Sequence, residues 1–230
     1  VCLDSRMLEA PGTGVATYAS VLCTCLPRTG AGLTLLRQSN SADSPTPRRS
    51  RRWISALGRE PRTAHRQAMP DTGGRALHDL ICADVFRQAQ VFFNLHGQLM
   101  PVVAEYPPPV MHWTYPVPLF FEGSRNVYTV HDVIPLTRPE LTPIRRERHR
   151  QLLARIAERA HRIVAVTEAA AREIAAATSI DPDRIVSLSQ AVRVPVQCDP
   201  PLPARLKAGR YFLFCGTIEP RKNLVATAQA

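Results

Sequence analysis

Short apolar runs of strand length alternate with longer amphipathic stretches along most of the chain. The runs at residues 1–4, 33–36, 91–95, 126–130, 163–166 and 184–188 predict buried strands. The stretches at residues 15–26, 75–89, 143–162 and 168–178 predict helices, the last with Thr167 at its N-cap position. Strands that alternate with helices in this way predict an α/β domain built on a Rossmann-like, doubly wound parallel sheet.

Two stretches interrupt the alternation. Residues 101–121 contain the sequence VMHWTYPVPLFF and cannot form a long helix because Pro116 and Pro118 would break it. We expect them to line a cleft or to bridge two strands. Residues 37–74 lose their periodicity, and residues 48–53 place arginines beside a tryptophan. That combination is typical of a segment on an anionic membrane, where each cation contributes about 1 kcal/mol. A solvated surface loop or short helix is the alternative.

A glycine-bearing loop joins the first predicted strand to the first predicted helix. Gly14 stands at the end of this loop, and a residue without a side chain lets the backbone approach a phosphate group closely. The N–H groups at the start of a helix favour the same negative charge. Gly14 is therefore a candidate phosphate contact, whereas a plain glycine-rich turn is the alternative for this loop taken by itself.

A His-Asp pair directly follows the strand predicted at residues 126–130. In open α/β sheets, ligands collect at the carboxyl ends of the strands, so His131 and Asp132 are well placed for chemistry. A histidine that only satisfies hydrogen bonds within the protein is the alternative for His131. The position of the pair makes both residues candidates for the catalytic site.

A further unit of strand, turn and helix stands near the end of the chain. Residues 211–215 form an apolar, aromatic-rich run that predicts a buried strand, and residues 224–230 predict the first turns of a helix. The turn between them contains Thr217, Arg221 and Lys222. Two cations beside a helix N-terminus suit a phosphorylated ligand, whereas an ordinary basic loop is the alternative.

The composition adds a strong positive charge to this picture. The chain of 230 residues has a formal net charge of +10, and its cations are almost all arginines, with lysines at positions 207 and 222 only. Such a skew is typical of GC-rich coding, so part of the charge requires no polyanionic partner. The six cysteines form no CxxC pair, which favours a reducing cytoplasm. No apolar run approaches the ~20 residues of a membrane-spanning helix.

Three separated motifs carry a resemblance to a known family. TGVATY in the first loop, TVHDVIPL around the His-Asp pair and GTIEPRKN near the end resemble, in this order, the signatures of GT-B glycosyltransferases of family 4. Those enzymes move a sugar from a nucleotide-sugar to an acceptor with retention at the anomeric carbon. The resemblance implies an N-terminal, acceptor-binding Rossmann-like domain over residues 1–191, a proline-rich linker over 192–208 and the start of a donor-binding domain over 209–230.

The resemblance also implies roles for the candidate residues. Lys222 matches a lysine that grips the donor diphosphate, and the further diphosphate contacts are Gly14, Thr217 and Arg221. His131 matches a histidine that contacts the donor sugar, with Asp132 as an orienting partner. The resemblance implies no cofactor and no metal ion, because cations of the protein take the place of a metal on the diphosphate.

The implied function is transfer of a hexose, with mannose as one candidate, to a glycan or lipid-linked acceptor in cell-surface polysaccharide biosynthesis. The implied partners are the nucleotide-sugar donor, that acceptor and an anionic membrane surface, with no nucleic acid. We expect a cytoplasmic protein at the inner face of the membrane. We also expect half of the donor site to lie beyond the chain, which would then be inactive by itself. A nucleotide-sugar epimerase of the same architecture and a basic nucleic-acid-binding protein are the alternatives.

Overall fold

The computed structural model of the protein describes residues 1–9, 12–39, 58–68, 78–191, 209 and 211–229. The chain divides into two compact units, Val1–Gln190 and Ala191–Ala230. The basic segment at residues 48–53 and the linker predicted at residues 192–208 lie outside the described residues, so both stay predictions.

Eleven strands and six helices follow one another along the described residues. The strands are β1 (Cys2–Asp4), β2 (Thr34–Ser39), β3 (Arg62–Thr63), β4 (His65–Ala68), β5 (His78–Ala83), β6 (Met100–Val103), β7 (Val110–Trp113), β8 (Leu119–Phe121), β9 (Arg125–Val130), β10 (Ala160–Ala165) and β11 (Ile185–Ser187). The helices are α1 (Gly14–Cys25), α2 (Val85–His96), α3 (Ile134–Thr137), α4 (Arg146–Arg159), α5 (Glu168–Ala177) and α6 (Leu224–Gln229).

Eight of these described strands form one sheet in the order β11-β10-β9-β7-β1-β2-β5-β4. All neighbours are parallel except β4, which lies antiparallel to β5 at one edge. The chain builds the sheet from β1 through β2 to β5, then returns to the other side of β1 and continues from β7 to β11. The winding direction therefore reverses between β1 and β7, and the crevice at their carboxyl ends is where such folds bind ligands. The predicted doubly wound sheet is confirmed.

The core combines side chains of the strands with those of the helices. Its largest fully buried members include Trp113, Tyr128, Phe121, Leu3, Leu36, Met100, Met111, Leu119, Leu153 and Ile156. The rings of Trp113 and Tyr128 stack with their centroids 6.1 Å apart. The Tyr128 hydroxyl donates to the Leu119 carbonyl at 2.5 Å, so the polar atom of this buried ring has a partner.

A smaller parallel sheet, β3-β6-β8, is joined to the main sheet by the buried amide of Asn126 on β9. The Asn126 Oδ1 accepts from Trp113 Nε1 at 3.0 Å and from Phe121 N at 2.8 Å. The Asn126 Nδ2 donates to the carbonyls of Phe121 at 2.9 Å and Ser124 at 3.0 Å. Both donors and the acceptor of the amide are used, so Asn126 fixes how β8 approaches β9.

Most predicted elements are confirmed, with ends that differ by a few residues. Confirmed are the strands β1, β2, β9, β10 and β11 and the helices α1, α4 and α5. Thr167 caps α5 as predicted, because its Oγ1 accepts from the N–H of Ala170 at 3.0 Å.

Two predicted elements between residues 75 and 95 are wrong. The described part of the predicted helix at 75–89 is strand β5 and the start of α2, and the predicted strand at 91–95 is the second half of α2. The buried residues of α2 are Val85, Phe86, Ala89, Phe92 and Phe93. Their spacing follows the helical period across the boundary between the predicted helix and the predicted strand. The six residues of β5 are too few for their apolar positions to distinguish a strand from a helix.

The proline-containing stretch at residues 101–121 includes strands that the sequence did not indicate. It forms no helix, as predicted, and it carries β7, β8 and most of β6. These strands have 3 or 4 residues each, so no run is long enough to show alternation. Because β7 lies between β1 and β9 in the main sheet, the stretch supplies a central strand of the fold.

The second unit contains α6 where the sequence predicts a helix to begin. A 3₁₀ turn, Pro220–Lys222, precedes it. The strand predicted at residues 211–215 is wrong, since these residues carry no strand and the Phe212 side chain is 99% exposed. A strand requires a hydrogen-bonded neighbour, and the described residues of this unit provide none.

Candidate functional site

The candidate site lies at the carboxyl ends of three adjacent strands in the first unit. β1 ends at Asp4, Thr114 follows β7, and His131 follows β9. β7 pairs with both β1 and β9, so the three strand ends stand side by side at one edge of the sheet. His131 follows the strand end as the sequence predicted, and the same edge includes the point at which the winding direction reverses.

The loop after β1 ends in a capped helix N-terminus. Thr13 has extended backbone angles, and its Oγ1 accepts from the N–H of Ala16 at 3.1 Å, which caps α1. Gly12 has a φ of 96°, a conformation that favours glycine. A side chain at Gly14 would meet no atom within 4 Å. Packing therefore does not explain the glycine at position 14, whose open surroundings leave room for a ligand.

Three groups surround the imidazole of His131. Its Nε2 lies 3.0 Å from the Thr114 carbonyl oxygen, and its Nδ1 lies 3.4 Å from Gln190 Nε2. The ring of Tyr18 stands edge to face against it, with the centroids 5.1 Å apart and the planes at 89°. Burial lowers the pKa of His131, while the Thr114 hydrogen bond and the charge of Asp132 act in the opposite direction. The ring is therefore neutral at pH 7.

A second hydrogen-bonded group lies beside His131. Thr129 Oγ1 on β9 is 2.8 Å from His112 Nε2 and 2.9 Å from the Tyr18 hydroxyl. Burial lowers the pKa of His112 to about 4, with a smaller contribution from the charge of His131. This group ties α1 to β7 and β9 through side chains, and Tyr18 belongs both to it and to the surroundings of His131.

Asp4 is a buried carboxyl at the same edge. Its Oδ2 accepts from the N–H of Thr114 at 2.5 Å. Burial raises the pKa of Asp4 to about 6, and the hydrogen bonds from Thr114 partly oppose this shift. The motifs did not single out Asp4, Thr114, Tyr18, His112 or Thr129. The signal that indicates His131, a polar residue at the end of an apolar run, also applies to Asp4, whereas Thr114 follows a strand that the sequence does not indicate.

Asp132 takes a local position in the structure. Its Oδ1 accepts from the N–H of Ile134 at 3.1 Å, at the start of α3. Its carboxylate acts on His131 through its charge, which raises the pKa of that imidazole. An orienting role for Asp132 stays a prediction.

The predicted diphosphate contacts of the second unit lie on its basic turn, residues 217–223. Arg221 Nη2 is 2.7 Å from Glu219 Oε1, and both side chains are partly exposed. Lys222 is exposed, and among the described residues no hydrogen bond or ion pair of its side chain is found. Asn223 ends the 3₁₀ turn with a φ of 48°. Thr217 is exposed. Gly14 and His131 belong to the other unit, so their relation to this turn stays a prediction.

The described residues also bear on metal binding and on membrane insertion. Within the ranges that the structure describes, no group of three or more His, Cys, Asp and Glu residues could hold a metal ion. None of the described helices is both long and apolar enough to cross a membrane.

The comparison with protein families agrees with this architecture. The family model described as Glycosyltransferase Family 4 matches residues 12–194, which include Gly14, β7, His131 and β11. A search of curated proteins finds no significant match to the chain. The family model covers more than half of the chain, and the sheet is that of a Rossmann-like domain. The protein therefore belongs to glycosyltransferase family 4.

Proposed function

We propose that the protein is a retaining glycosyltransferase of GT-B architecture that takes a nucleotide-sugar as its donor. The family supplies the reaction class, and the position of His131 at the carboxyl ends of the strands supports a sugar contact there. In this proposal the first domain covers residues 1–191 and binds the acceptor. Residues 192–208 form a linker, and residues 209–230 begin the donor-binding domain. The division of the chain after Gln190 supports the end of the first domain.

The reaction breaks the bond between the anomeric carbon and the diphosphate oxygen. An acceptor hydroxyl forms the new bond on the same face of the sugar, and its proton passes to the departing diphosphate. Negative charge grows on that diphosphate in the transition state, so fixed positive charge and N–H groups there lower the barrier by several kcal/mol. We assign this role to Lys222, Arg221 and Thr217 of the second unit and to the α1 N-terminus at Gly14.

His131 contacts the sugar in this scheme, and Asp132 orients it by charge. A neutral imidazole fits a hydrogen bond to a sugar hydroxyl better than it fits the neutralisation of a phosphate, because it brings no charge. We assign the diphosphate to the cations for the same reason. The proposed donor complex requires neither a cofactor nor a metal ion.

We further propose a hexose as the transferred sugar and a glycan or lipid-linked molecule as the acceptor, in cell-surface polysaccharide biosynthesis. The net charge of +10 supports a position at the anionic inner face of the cytoplasmic membrane. The same charge is spread along the chain rather than gathered in a nucleic-acid-binding motif, so we propose no nucleic-acid partner.

One observation carries the proposal. In a domain of family 4, His131 and Gly14 both lie near the point of the sheet, between β1 and β7, at which the winding direction reverses. The first test is a titration of the protein with a nucleoside diphosphate and with nucleotide-sugars, followed by NMR. We expect the diphosphate to shift the amide signals of Gly14 and its neighbours, and the sugar to shift those of His131. Binding that leaves both regions unchanged would contradict the proposed site.

The second test measures transfer by a protein that carries both domains of the proposed fold. A panel of nucleotide-sugars is offered with glycan and lipid-linked acceptors, and NMR determines the anomeric configuration of the product. We expect the configuration of the donor to be kept. Inversion would refute the retaining mechanism, and isomerisation of the donor without any acceptor would identify an epimerase.

A further inference from the structure

Asp4 is an unusual residue for the end of a central strand. It is fully buried, and among the described residues the ion pairs of the protein do not include it. Burial of a carboxyl group without a cation is costly, and an apolar residue would fill the end of β1 at a lower cost. A specific contact is therefore the best explanation for a carboxylate at this position.

One such contact is the backbone of Thr114, which links Asp4 to His131; the backbone of Arg6 also acts on this carboxyl. The Thr114 N–H donates to Asp4 Oδ2 at 2.5 Å, and the Thr114 carbonyl lies 3.0 Å from His131 Nε2. The two groups belong to the peptide units on either side of the same residue. The bond to Oδ2 fixes the peptide unit that precedes Thr114, and with it the position of the Thr114 Cα from which the carbonyl extends toward His131.

The contacts of His131 determine which of its nitrogens carries the proton. A carbonyl oxygen only accepts hydrogen bonds, so Nε2 must be the donor toward Thr114. The opposite nitrogen, Nδ1, then carries a lone pair, and the Gln190 amide stands 3.4 Å away, where its N–H group can donate to it. Two independent contacts therefore agree on the form protonated at Nε2.

We propose that Asp4 is a positioning residue: its carboxylate holds the N–H of Thr114, and the carbonyl of the same residue fixes His131 in the Nε2–H form and leaves Nδ1 as an acceptor for a sugar hydroxyl. The ligand of Nδ1 rests on the proposed function, while the chain of contacts from Asp4 to His131 does not. Gln190 occupies Nδ1 in the structure, and a sugar hydroxyl takes its place by donating to the same lone pair.

The proposal is tested on the protein without any substrate. Long-range ¹H–¹⁵N spectra of protein labelled at its histidines report which imidazole nitrogen is protonated, and a His131→Asn variant assigns the signal. In the unchanged protein we expect His131 to be protonated at Nε2. In the Asp4→Ala variant the Thr114 carbonyl loses its fixed position, so we expect the two nitrogen signals to move toward the average of both tautomers.

Asp4→Asn serves as the conservative variant, because its amide oxygen can still accept from the Thr114 N–H. We expect His131 to keep the Nε2–H form in this variant, while the Thr114 amide proton moves upfield because its hydrogen bond is no longer to a charged group. This shift of the Thr114 amide proton tests the proposal even if Asp4→Ala does not fold. A Thr114 amide signal that stays in place would show that Asp4 does not hold it, and the proposal would be wrong.

Asp79→Ala is the control for Asp4→Ala. Asp79 is also buried and also accepts from a backbone N–H, that of Leu35 at 3.1 Å, but it pairs with Arg37 at 2.5 Å and lies on β5 away from His131. We expect this variant to leave the His131 signals unchanged. A change equal to that of Asp4→Ala would show that the loss of any buried carboxylate alters these signals, and it would overturn the proposal. An Nδ1–H form in the unchanged protein would also overturn it. Neither result would affect the transfer experiment, so a failure here is distinct from a failure of the proposed function.

Discussion

The edge that holds His131 and the basic turn that holds Lys222 carry equally clear sequence motifs, yet the structure fixes them to very different degrees. His131 is half-buried among a backbone carbonyl, an amide and an aromatic ring. Lys222 is exposed, and among the described residues its neighbour Arg221 pairs with the nearby Glu219. A residue that acts through a directed hydrogen bond needs such support, whereas a cation acts through its charge over a longer distance.

The largest expected effect is a loss of stability, and it should differ strongly between a substitution in the first unit and one in the second. Asn126→Ala removes the partner of four hydrogen bonds in the first unit, so we expect it to lower the free energy of unfolding by about 4 kcal/mol. Phe212→Ala in the second unit should change it by less than ~0.5 kcal/mol, because that side chain is 99% exposed. Urea unfolding measures both values. Similar losses for the two variants would remove the contrast between the regions.

This contrast also explains what the sequence could predict. Strands such as β9 and β10 were found because each is an apolar run long enough to stand out between polar turns. The strand predicted at residues 211–215 has the same pattern but is absent, because its formation depends on a neighbouring strand and not on its own residues. Local pattern therefore predicts a strand only where the rest of the fold supplies its partner.

The candidate site shows the same limit. His131 and Gly14 could be found from motifs, but Tyr18 and Thr129 are 111 positions apart in the chain and meet only when α1 packs beside β9. β7 was missed because it has only 4 residues between prolines, and with it the position of Thr114 was missed. The motifs predict which groups do the chemistry, whereas the residues that hold them depend on the topology of the sheet.

The next effect concerns catalysis in a protein with both domains. If Lys222 neutralises the leaving diphosphate, Lys222→Ala should lower kcat by two or more orders of magnitude, which corresponds to ~3 kcal/mol. Binding of the bare nucleoside should barely change. His131→Ala should lower transfer but leave the affinity for the nucleoside diphosphate near normal. Parent rates in both variants, with their folds intact, would show that neither region belongs to the active site.

A smaller effect should appear in the pH dependence of stability. The pKa of His112 is about 4 in the folded protein and near 6.5 when unfolded, so its contribution to stability is complete above pH 6.5 and is lost as the pH falls toward 4. Asp4 acts in the opposite direction, because its raised pKa of about 6 favours folding at low pH and this advantage is lost as the pH rises.

The variant His112→Gln separates these opposing contributions. It keeps Asp4 and can still bond to Thr129, so the comparison with the unchanged protein isolates the histidine. Between about pH 6.5 and pH 5, the unchanged protein should lose on the order of 2 kcal/mol more unfolding free energy than the variant. Urea unfolding across this range provides the measurement. Parallel pH profiles would show that the His112 ring is not held in its neutral form.

The smallest change in stability should come from Gly14→Ala, which tests whether the open space at the start of α1 is used by a ligand. The new methyl group meets no atom within 4 Å, so we expect the free energy of unfolding to change by less than ~0.5 kcal/mol. The same methyl group would stand where the diphosphate approaches the backbone, and calorimetry should show an affinity for a nucleoside diphosphate that is lower by about 1 kcal/mol. Gly12→Ala is the matched control for stability. The φ of 96° at Gly12 disfavours any side chain, so this variant should be less stable by about 1 kcal/mol. Unchanged affinity in a stable Gly14→Ala protein would mean that the diphosphate does not approach this helix, and the proposed diphosphate contacts would then be those of the basic turn alone.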